Sequence, residues 1–252
     1  MKTRSNVMLM DIETSPCVGY FWRPGFKLNI PAENIVEESK IICISYKWHN
    51  DPFVYRLTWD KKQCDKEMLS EFIDTASEAD CIVGHNSDRF DIKWVKTRAV
   101  VHGLQPLNKL QSIDTLKLAR SNFNFNSNRL DYLGRLLVGD HKKDTGGFGL
   151  WKAVMAGDKK ALQEMGDYCD QDVLLLEKVY DKLLPHTAAL PVHIGGIMGL
   201  GKCSCEACGS VKLIRHRRYT NVSSGPMVVL RCKDCGKNKA MPEKTYSKIK
   251  GE

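Results

Sequence analysis

Apolar and polar positions along the 252-residue chain switch repeatedly between the period of a strand and that of a helix. Val7–Met10, an unbroken apolar run leading into Asp11, predicts a short strand buried on both faces. "KIICISYKW" and "FVYRLTW" are β-rich runs joined by "HNDP", which predicts an antiparallel hairpin. Residues 15–39, with "YFWRPGF" and "NIPAEN", read as irregular. Helical spacing at "CDKEMLSEFIDTASEA" is followed by a buried strand at "DCIVGHN" and a helix at "SDRFDIKWVKTRAVVHG", stopped by Gly103. "SIDTLKLA" predicts a further strand, and "NSNRLDYLGRLLVG" a helix capped by Asn126 or Ser127. A glycine-rich loop, "DTGGFG", leads to a short helix near Trp151, and a long helix runs from near Asp158 to just before Pro185. This order implies an α/β sheet with a mixed edge rather than a doubly wound one.

On the long helix, Met165, Tyr168, Cys169, Asp172, Val173, Leu176, Val179 and Leu183 recur at three and four residues and form one stripe. Asp172 lies in it, one turn after Tyr168, whereas Asp167 and Asp170 project away and read as solvated. A carboxylate on a core-facing stripe is costly without compensation. A metal ion or a neighbouring Lys or Arg would provide it, and the stretch alone leaves both open. "MDIET" sets Asp11 and Glu13 two apart at a strand end, so both carboxylates point to one face. In "GHNSDRFDIKW", Phe90, Asp91, Trp94 and Val95 share a helical side, while Asp88, one turn earlier, would favour the helix dipole. Periodicity does not separate Asp88 from Asp91. Carboxylates gathered from separate segments repel one another unless cations lie between them, and hard oxygen ligands select Mg²⁺ or Mn²⁺. Two such ions, roughly 3.5–4 Å apart, suit phosphodiester cleavage.

Charge is uneven along the chain. Residues 197–252 hold 12 Lys+Arg against 4 Asp+Glu, the whole net +8, and the remaining residues hold 26 of each. That asymmetry points to an acidic partner for the tail, nucleic acid first. The tail also carries Cys205-x-x-Cys208 and Cys232-x-x-Cys235, 23 residues apart, a spacing that provides four thiolates for one structural Zn²⁺. Cys203 reads as a bystander, and Cys17, Cys43, Cys64, Cys81 and Cys169 as scattered, buried free thiols. Between the two pairs, "KLIRHRRY" groups Arg215, Arg217, Arg218 and Tyr219, suited to phosphate contact and base stacking or to docking a protein. Lys142 and Lys143 beside "DTGGFG" are further phosphate contacts. That loop lacks the Gly-Lys-Ser/Thr ending of a P-loop, so no ATP site is expected. Tyr20, Phe21, Trp22 and Phe26 would stack on a single strand or, more simply, pack over the sheet edge. His85 and His102 read as structural. The apolar run at the start breaks at Asp11, unlike a signal peptide, and no stretch reaches the ~18 residues of a spanning helix. A soluble, cytoplasmic protein is expected.

Three segments in order resemble the exonuclease motifs of the DEDD family: "DIET" (Asp11, Glu13), "NSDRFD" (Asn86, Phe90, Asp91) and "YCDQD" (Tyr168, Asp172). Tyr-x-x-x-Asp in the third looks like the tyrosine subclass, DEDDy, found in proofreading domains of family B DNA polymerases. The histidine subclass would want His at position 167, which is Asp. The resemblance covers residues 7–184 and implies a ribonuclease H-like fold, with Asp91 chosen over Asp88. It further implies that Asp11 bridges two Mg²⁺ or Mn²⁺ ions, that Glu13 and Asp172 hold the ion activating water, that Tyr168 orients that water, and that Asp91 supports the second ion.

The tail resembles a zinc ribbon. The expected architecture is thus a ribonuclease H-like domain over 1–184, a linker over 185–202 and a basic zinc-ribbon module over 203–252. The expected activity is 3′–5′ exonucleolytic release of nucleoside 5′-monophosphates from single-stranded DNA, with exoribonuclease action and a non-cutting nucleic-acid-binding adaptor as alternatives. No polymerase domain fits this length, so any proofreading would be in trans, and a replication or repair protein docked through the ribbon is the expected protein partner. Free-standing enzymes similar to this one occur among bacteriophages.

Overall fold

A computed structural model describes residues 6–25, 28–107, 111–140, 147–187, 190–197, 200–201 and 203–250. Strand β1 (Val7–Thr14) is followed by two short strands, β2 (Val18–Gly19) and β3 (Ile35–Glu37), then by β4 (Ile41–Trp48) and β5 (Tyr55–Thr58). Helix α1 (Lys66–Ala76), β6 (Cys81–Gly84), α2 (Asp91–His102) and β7 (Gln111–Asp114) come next, and then α3 (Thr115–Asn122), α4 (Leu130–Val138), α5 (Gly149–Met155) and α6 (Lys159–Leu183). A short α7 (Ile194–Ile197) leads to β8 (Leu213–Asn221), β9 (Gly225–Cys232), β10 (Asn238–Pro242) and α8 (Glu243–Lys250).

The main sheet has the order β5-β4-β1-β6-β7. β4 is antiparallel to both β1 and β5, and β6 and β7 continue parallel to β1. This is the mixed sheet expected from the order of elements. Alternation along β1 divides the core. Val7 and Leu9 join Val173, Leu176 and Val179 of α6, while Met8, Met10 and Ile12 join Phe72 of α1 and Val95 of α2. Both faces are covered by helices, which is why β1 reads as a continuous apolar run. Asp11 and Glu13 share the phase of Val7 and Leu9 and so belong to the α6 face.

Helix α6 is bound to β4 by polar pairs. Lys47, 3% exposed, pairs with Glu177, and His49 Nε2 lies 2.8 Å from Asp181. Asp158 caps α6 by accepting from the amides of Lys160 and Ala161. Under the opposite face, buried Asp65 accepts from Arg98 Nε at 2.7 Å and from the Ile41 amide at 2.9 Å, with His102 Nε2 2.7 Å away. His102 thus joins a buried polar cluster with Asp65 and Arg98.

Four sequence expectations are corrected. "SIDTLKLA" is strand only to Asp114, whose side chain accepts from the Leu116 and Lys117 amides and turns the chain into α3. Helix α4 begins after Arg129 with no side-chain cap, because Asn126 and Ser127 stand too far upstream. Residues 15–39 contain an antiparallel β2–β3 pair that prolongs the β1–β4 hairpin. Among the scattered cysteines Cys43, Cys81 and Cys169 are buried, but Cys17 is exposed and Cys64 half-buried.

Strands β10-β9-β8 form a separate sheet packed around Val228, Leu230, Met241 and Tyr246. Cys205, Ala207 and Cys232 at its base lie in the same buried cluster as Leu183, Leu184, Val192 and Ile194. The Ile194 amide donates to the Glu206 carbonyl at 2.8 Å, and the buried Lys237 ammonium donates to the Thr187 carbonyl. Residues 190–194 thus contribute side chains to a core shared by α6 and the cysteine-bearing turns. Among the described residues, no helix is long and apolar enough to cross a membrane.

Candidate active site

Asp11 and Glu13 on β1 and Asp172 on α6 bring carboxylate oxygens within 4.8 Å of one another. Two come from alternate positions of one strand and the third from the helix laid across that face, so the convergence is a product of sheet–helix packing. Asp172 is 1% exposed, whereas Asp11 and Glu13 are half-buried, which gives the cluster an open side. The β1–β4 register shifts between Glu13 and Thr14, and such irregularities re-aim side chains beside sites. Cys169, buried on α6, donates from its thiol to the Asp11 carbonyl at 3.4 Å and lies 3.7 Å from Asp11 Oδ2. Trp151 of α5 donates to the Thr14 carbonyl at 3.1 Å and pins the end of β1.

Asp91 arrives by a tight turn. β6 ends at Gly84, where a Cβ would lie 2.4 Å from that of Ser87, and Asn86 adopts a left-handed φ of 65°. The Asn86 amide donates to Asp114 at 2.9 Å, which holds the turn. Asp91 then opens α2, 3% exposed, and accepts from the Ile12 amide at 3.1 Å. It sits against β1 between Asp11 and Glu13 in sequence, but it is not among the carboxylates within 4.8 Å. Asp88 turns elsewhere: burial pushes its carboxyl up, but bonds from Lys117 and Ser112 outweigh this and hold it below its ordinary pKa. Tyr168, one turn before Asp172, is half-buried.

Asp167 and Asp170 are not simply solvated. Arg56 on β5 donates to Asp167 at 2.7 Å and makes a two-pronged contact with Asp170, which also accepts from Ser45. Helical spacing places these acids off the apolar stripe but says nothing of a cation waiting on an edge strand. Tyr20, Phe21 and Trp22 are exposed, Trp22 at 101%, rather than packed over the sheet edge. Phe26, Lys142 and Lys143 lie outside the described residues.

Three oxygen donors of hard character fit Mg²⁺ or Mn²⁺ better than a soft metal. At the other end of α6, Cys205, Cys208, Cys232 and Cys235 bring their sulfurs within 4.8 Å of one another, and Cys203 is not part of the group. Sγ separations are 3.5 Å for Cys205–Cys235 and 3.6 Å for Cys208–Cys232. A tetrahedron with bonds of about 2.3 Å to a central zinc has edges of about 3.8 Å, so the spacing fits. Hydrogen bonds from Cys208 and Cys235 hold the Cys205 thiol well below its ordinary range, and bonding to Cys205 in turn raises Cys208 and Cys235.

Arg215, Arg217, Arg218 and Tyr219 line β8, exposed along most of its length on the edge of its sheet. Arg217 lies over the Tyr219 ring at 5.8 Å, and Arg218 pairs with Glu243 at 2.8 Å, so its charge is partly engaged. Sequence reading missed a cleft of about 700 Å³ beyond the ends of β6 and β7, lined by His85, Asn86, Arg89, Arg120, Asn128 and Arg129. Its arginines are scattered over more than forty positions, and only the fold assembles them.

Comparison with known proteins agrees with this geometry. Over 84 residues the chain is 30% identical to a DNA polymerase of Methanocaldococcus jannaschii, a match covering 33% of this chain and 5% of that protein. The chain therefore spans only a small fraction of that relative's length. A family model described as RNase_H superfamily matches residues 33–184, a segment that runs from β3 to the end of α6 and includes Asp91, Tyr168 and Asp172. With more than half of its length matched and a mixed five-stranded sheet flanked by helices, the chain belongs to the RNase H superfamily.

Proposed function

We propose that this protein is a metal-dependent 3′–5′ exonuclease of the DEDDy type that removes nucleotides from single-stranded DNA. The observation that carries the reading is the convergence of Asp11, Glu13 and Asp172, with Asp91 held against β1 by the Ile12 amide. Divalent ions held by these carboxylates would supply a water of lowered pKa and charge to stabilise the leaving 3′ oxygen. The chain's own contribution is placement. Asp11, Glu13 and Asp172 offer oxygens on the open side of the sheet, and Asp91 joins them from α2. The Tyr168 hydroxyl, one helical turn from Asp172, orients the attacking water. The arginine-lined cleft beyond β6 draws the polyanionic strand, and the bases meet the exposed aromatic side chains at 20–22.

In this reading residues 1–184 form the nuclease unit, 185–202 the connection and 203–252 a zinc ribbon with Cys205, Cys208, Cys232 and Cys235 as ligands. Arg215, Arg217, Arg218 and Tyr219 give the ribbon a nucleic-acid or protein docking face.

Digestion of 3′- and 5′-end-labelled single-stranded DNA and RNA, with Mg²⁺, Mn²⁺ or no added ion, tests the proposal. Metal-dependent shortening from the 3′ end, abolished by Asp11→Ala, is the expected result, and the faster polymer names the sugar preference. Strand binding without cleavage of either polymer would leave a nucleic-acid-binding adaptor instead.

A further inference from the structure

Asp11, Ser45 and Arg56 are cross-strand partners in one row of the sheet. Asp11 of β1 pairs with Ser45 of β4, and Ser45 pairs with Arg56 of β5. Directly opposed residues point to the same face, so the row lies beneath α6. Helix α6 meets it with a matching set of acids: Asp172 near Asp11, Asp170 on Ser45 and Arg56, and Asp167 on Arg56. Arg56 reaches further, donating from Nη1 to the Gln163 carbonyl at 3.4 Å. One guanidinium thus touches the backbone and two side chains of a single stretch of helix, residues 163–170. Gly166 lies at the centre of that contact, and a Cβ there would sit 2.6 Å from Arg56 Cδ and Nη1. The glycine is what lets the guanidinium lie flat on the helix.

This grip opposes a repulsion. Oxygens of Asp172 on α6 and Asp11 on β1 lie within 4.8 Å of one another, and when both are ionised they repel and work against the seating of the helix on the strand. Asp170 lies two residues before Asp172, so its attachment to Ser45 and Arg56 fixes both the height and the rotation of α6 over β1. A planar fork with several donors suits the task better than a point charge would. Burial alone would lower the pKa of Arg56, but the bonds it donates to Asp170 and Asp167 outweigh it and keep the group charged.

We infer that Arg56 is a positioning residue for the metal centre, seated by Gly166 and aided by Ser45, which holds Asp172 at ligand distance from Asp11 before any ion binds. The inference rests on the exonuclease reading above, in which Asp11 and Asp172 are ligands. It assigns to a basic edge-strand residue the preorganisation of an acidic site, and to Asp167 and Asp170 the part of its anchors.

The test is the affinity of the full chain for Mn²⁺, read by electron paramagnetic resonance of free Mn²⁺, beside the Mg²⁺ dependence of exonuclease rate. Groups that orient metal ligands typically contribute 10–100-fold in affinity. Arg56→Ala is expected to weaken Mn²⁺ binding about tenfold or more and to raise the half-saturating Mg²⁺ concentration in parallel. Arg56→Lys should recover only part of the loss. Gly166→Ala, with every charge intact, should shift the same way by displacing the guanidinium. Circular dichroism checks the fold of each variant, and Ser45→Ala, which removes one hydrogen bond, carries the test if Arg56→Ala does not fold. Unchanged Mn²⁺ affinity in folded Arg56 and Gly166 variants, with a lower melting temperature, would make Arg56 a stabilising residue only and overturn the inference. Failure of the unmodified protein to bind Mn²⁺ would instead overturn the metal-site reading, and the inference with it.

Discussion

Replacing Asp172 by Asn should stabilise the protein in magnesium-free buffer and abolish its stabilisation by magnesium. The magnitude follows from the geometry. Carboxylate oxygens of Asp172, Asp11 and Glu13 lie within 4.8 Å, and at an effective dielectric of about 20 each like-charge pair at that distance costs about 3 kcal/mol. Two pairs would sum to about 7 kcal/mol, but a carboxylate escapes such repulsion by taking up a proton. At pH 7 that costs an ordinary Asp only about 4 kcal/mol, which caps the relief available to the variant. Hydrogen bonds made by the carboxylate and not by the amide reduce the gain further, so a net of about 1–3 kcal/mol is expected. For a chain of this size that is a rise in melting temperature of roughly 2–12 °C. With bound magnesium the ranking should close or reverse, because an ion present at about a hundred times its dissociation constant stabilises the unmodified protein by about 2.7 kcal/mol. The assay is thermal unfolding followed by circular dichroism, on zinc-replete protein, with and without saturating magnesium. If Asp172→Asn melts below the unmodified protein in magnesium-free buffer, the buried carboxylate is stabilised by its surroundings rather than strained by them. Asp172 is then not a vacant metal ligand.

Three further outcomes are expected. If the four-cysteine cluster holds zinc, stripping it with a zinc-selective chelator, or Cys232→Ser, should destabilise the ribonuclease H-like core as well as the β8–β10 sheet. Both share the buried cluster around Leu183 and Leu184, so loss of the metal cross-link loosens a core common to both, and melting should show one transition at lower temperature. Asp65 has its pKa lowered to about 2 because bonds from Arg98, the Ile41 amide and His102 outweigh the effect of burial. Its contribution, about 2 kcal/mol, is present above the unfolded-state value near 4 and is lost as pH falls toward 2. Asp65→Asn should therefore flatten the acid limb of a stability–pH curve over that window. Arg215→Ala with Arg217→Ala should weaken single-strand binding for all sequences alike and reduce the salt slope by about 1.4, while a protein-docking role for β8 would leave the slope unchanged.

The core of the fold is legible in sequence wherever one residue pattern has one structural meaning. The unbroken Val7–Met10 run, the stripe on α6 and Gly103 at the end of α2 each reappear where periodicity or backbone freedom places them. Asp11 and Glu13 are readable as a pair because strand alternation is strictly local. What is not readable depends on partners distant in the chain. Asp167 and Asp170 look like ordinary surface acids because Arg56, their counter-ion, lies more than a hundred positions away on an edge strand. Arg89, Arg120 and Arg129 follow no shared spacing and meet only around a cleft. At "SIDTLKLA" the apolar spacing suits either element, and the Asp114 cap, a single side chain bonding two amides, decides the boundary.

Helix α6 also works as a ruler. Asp172 faces the carboxylate cluster, Leu183 faces the cysteine-bearing turns, and the helix between them is continuous. Eleven residues at 1.5 Å each set about 16 Å between the two along the axis. Because the ribbon is seated in the same core as the helix end, this interval does not vary as a tether would. If the exonuclease proposal holds and the β8 face also binds nucleic acid, a strand gripped at both stations must be long enough to span them, and once trimmed below that length it is held at one alone. Digestion should then pass from sustained to distributive at a particular oligonucleotide length, and inserting one helical turn between Asp172 and Leu183 should lengthen that limit.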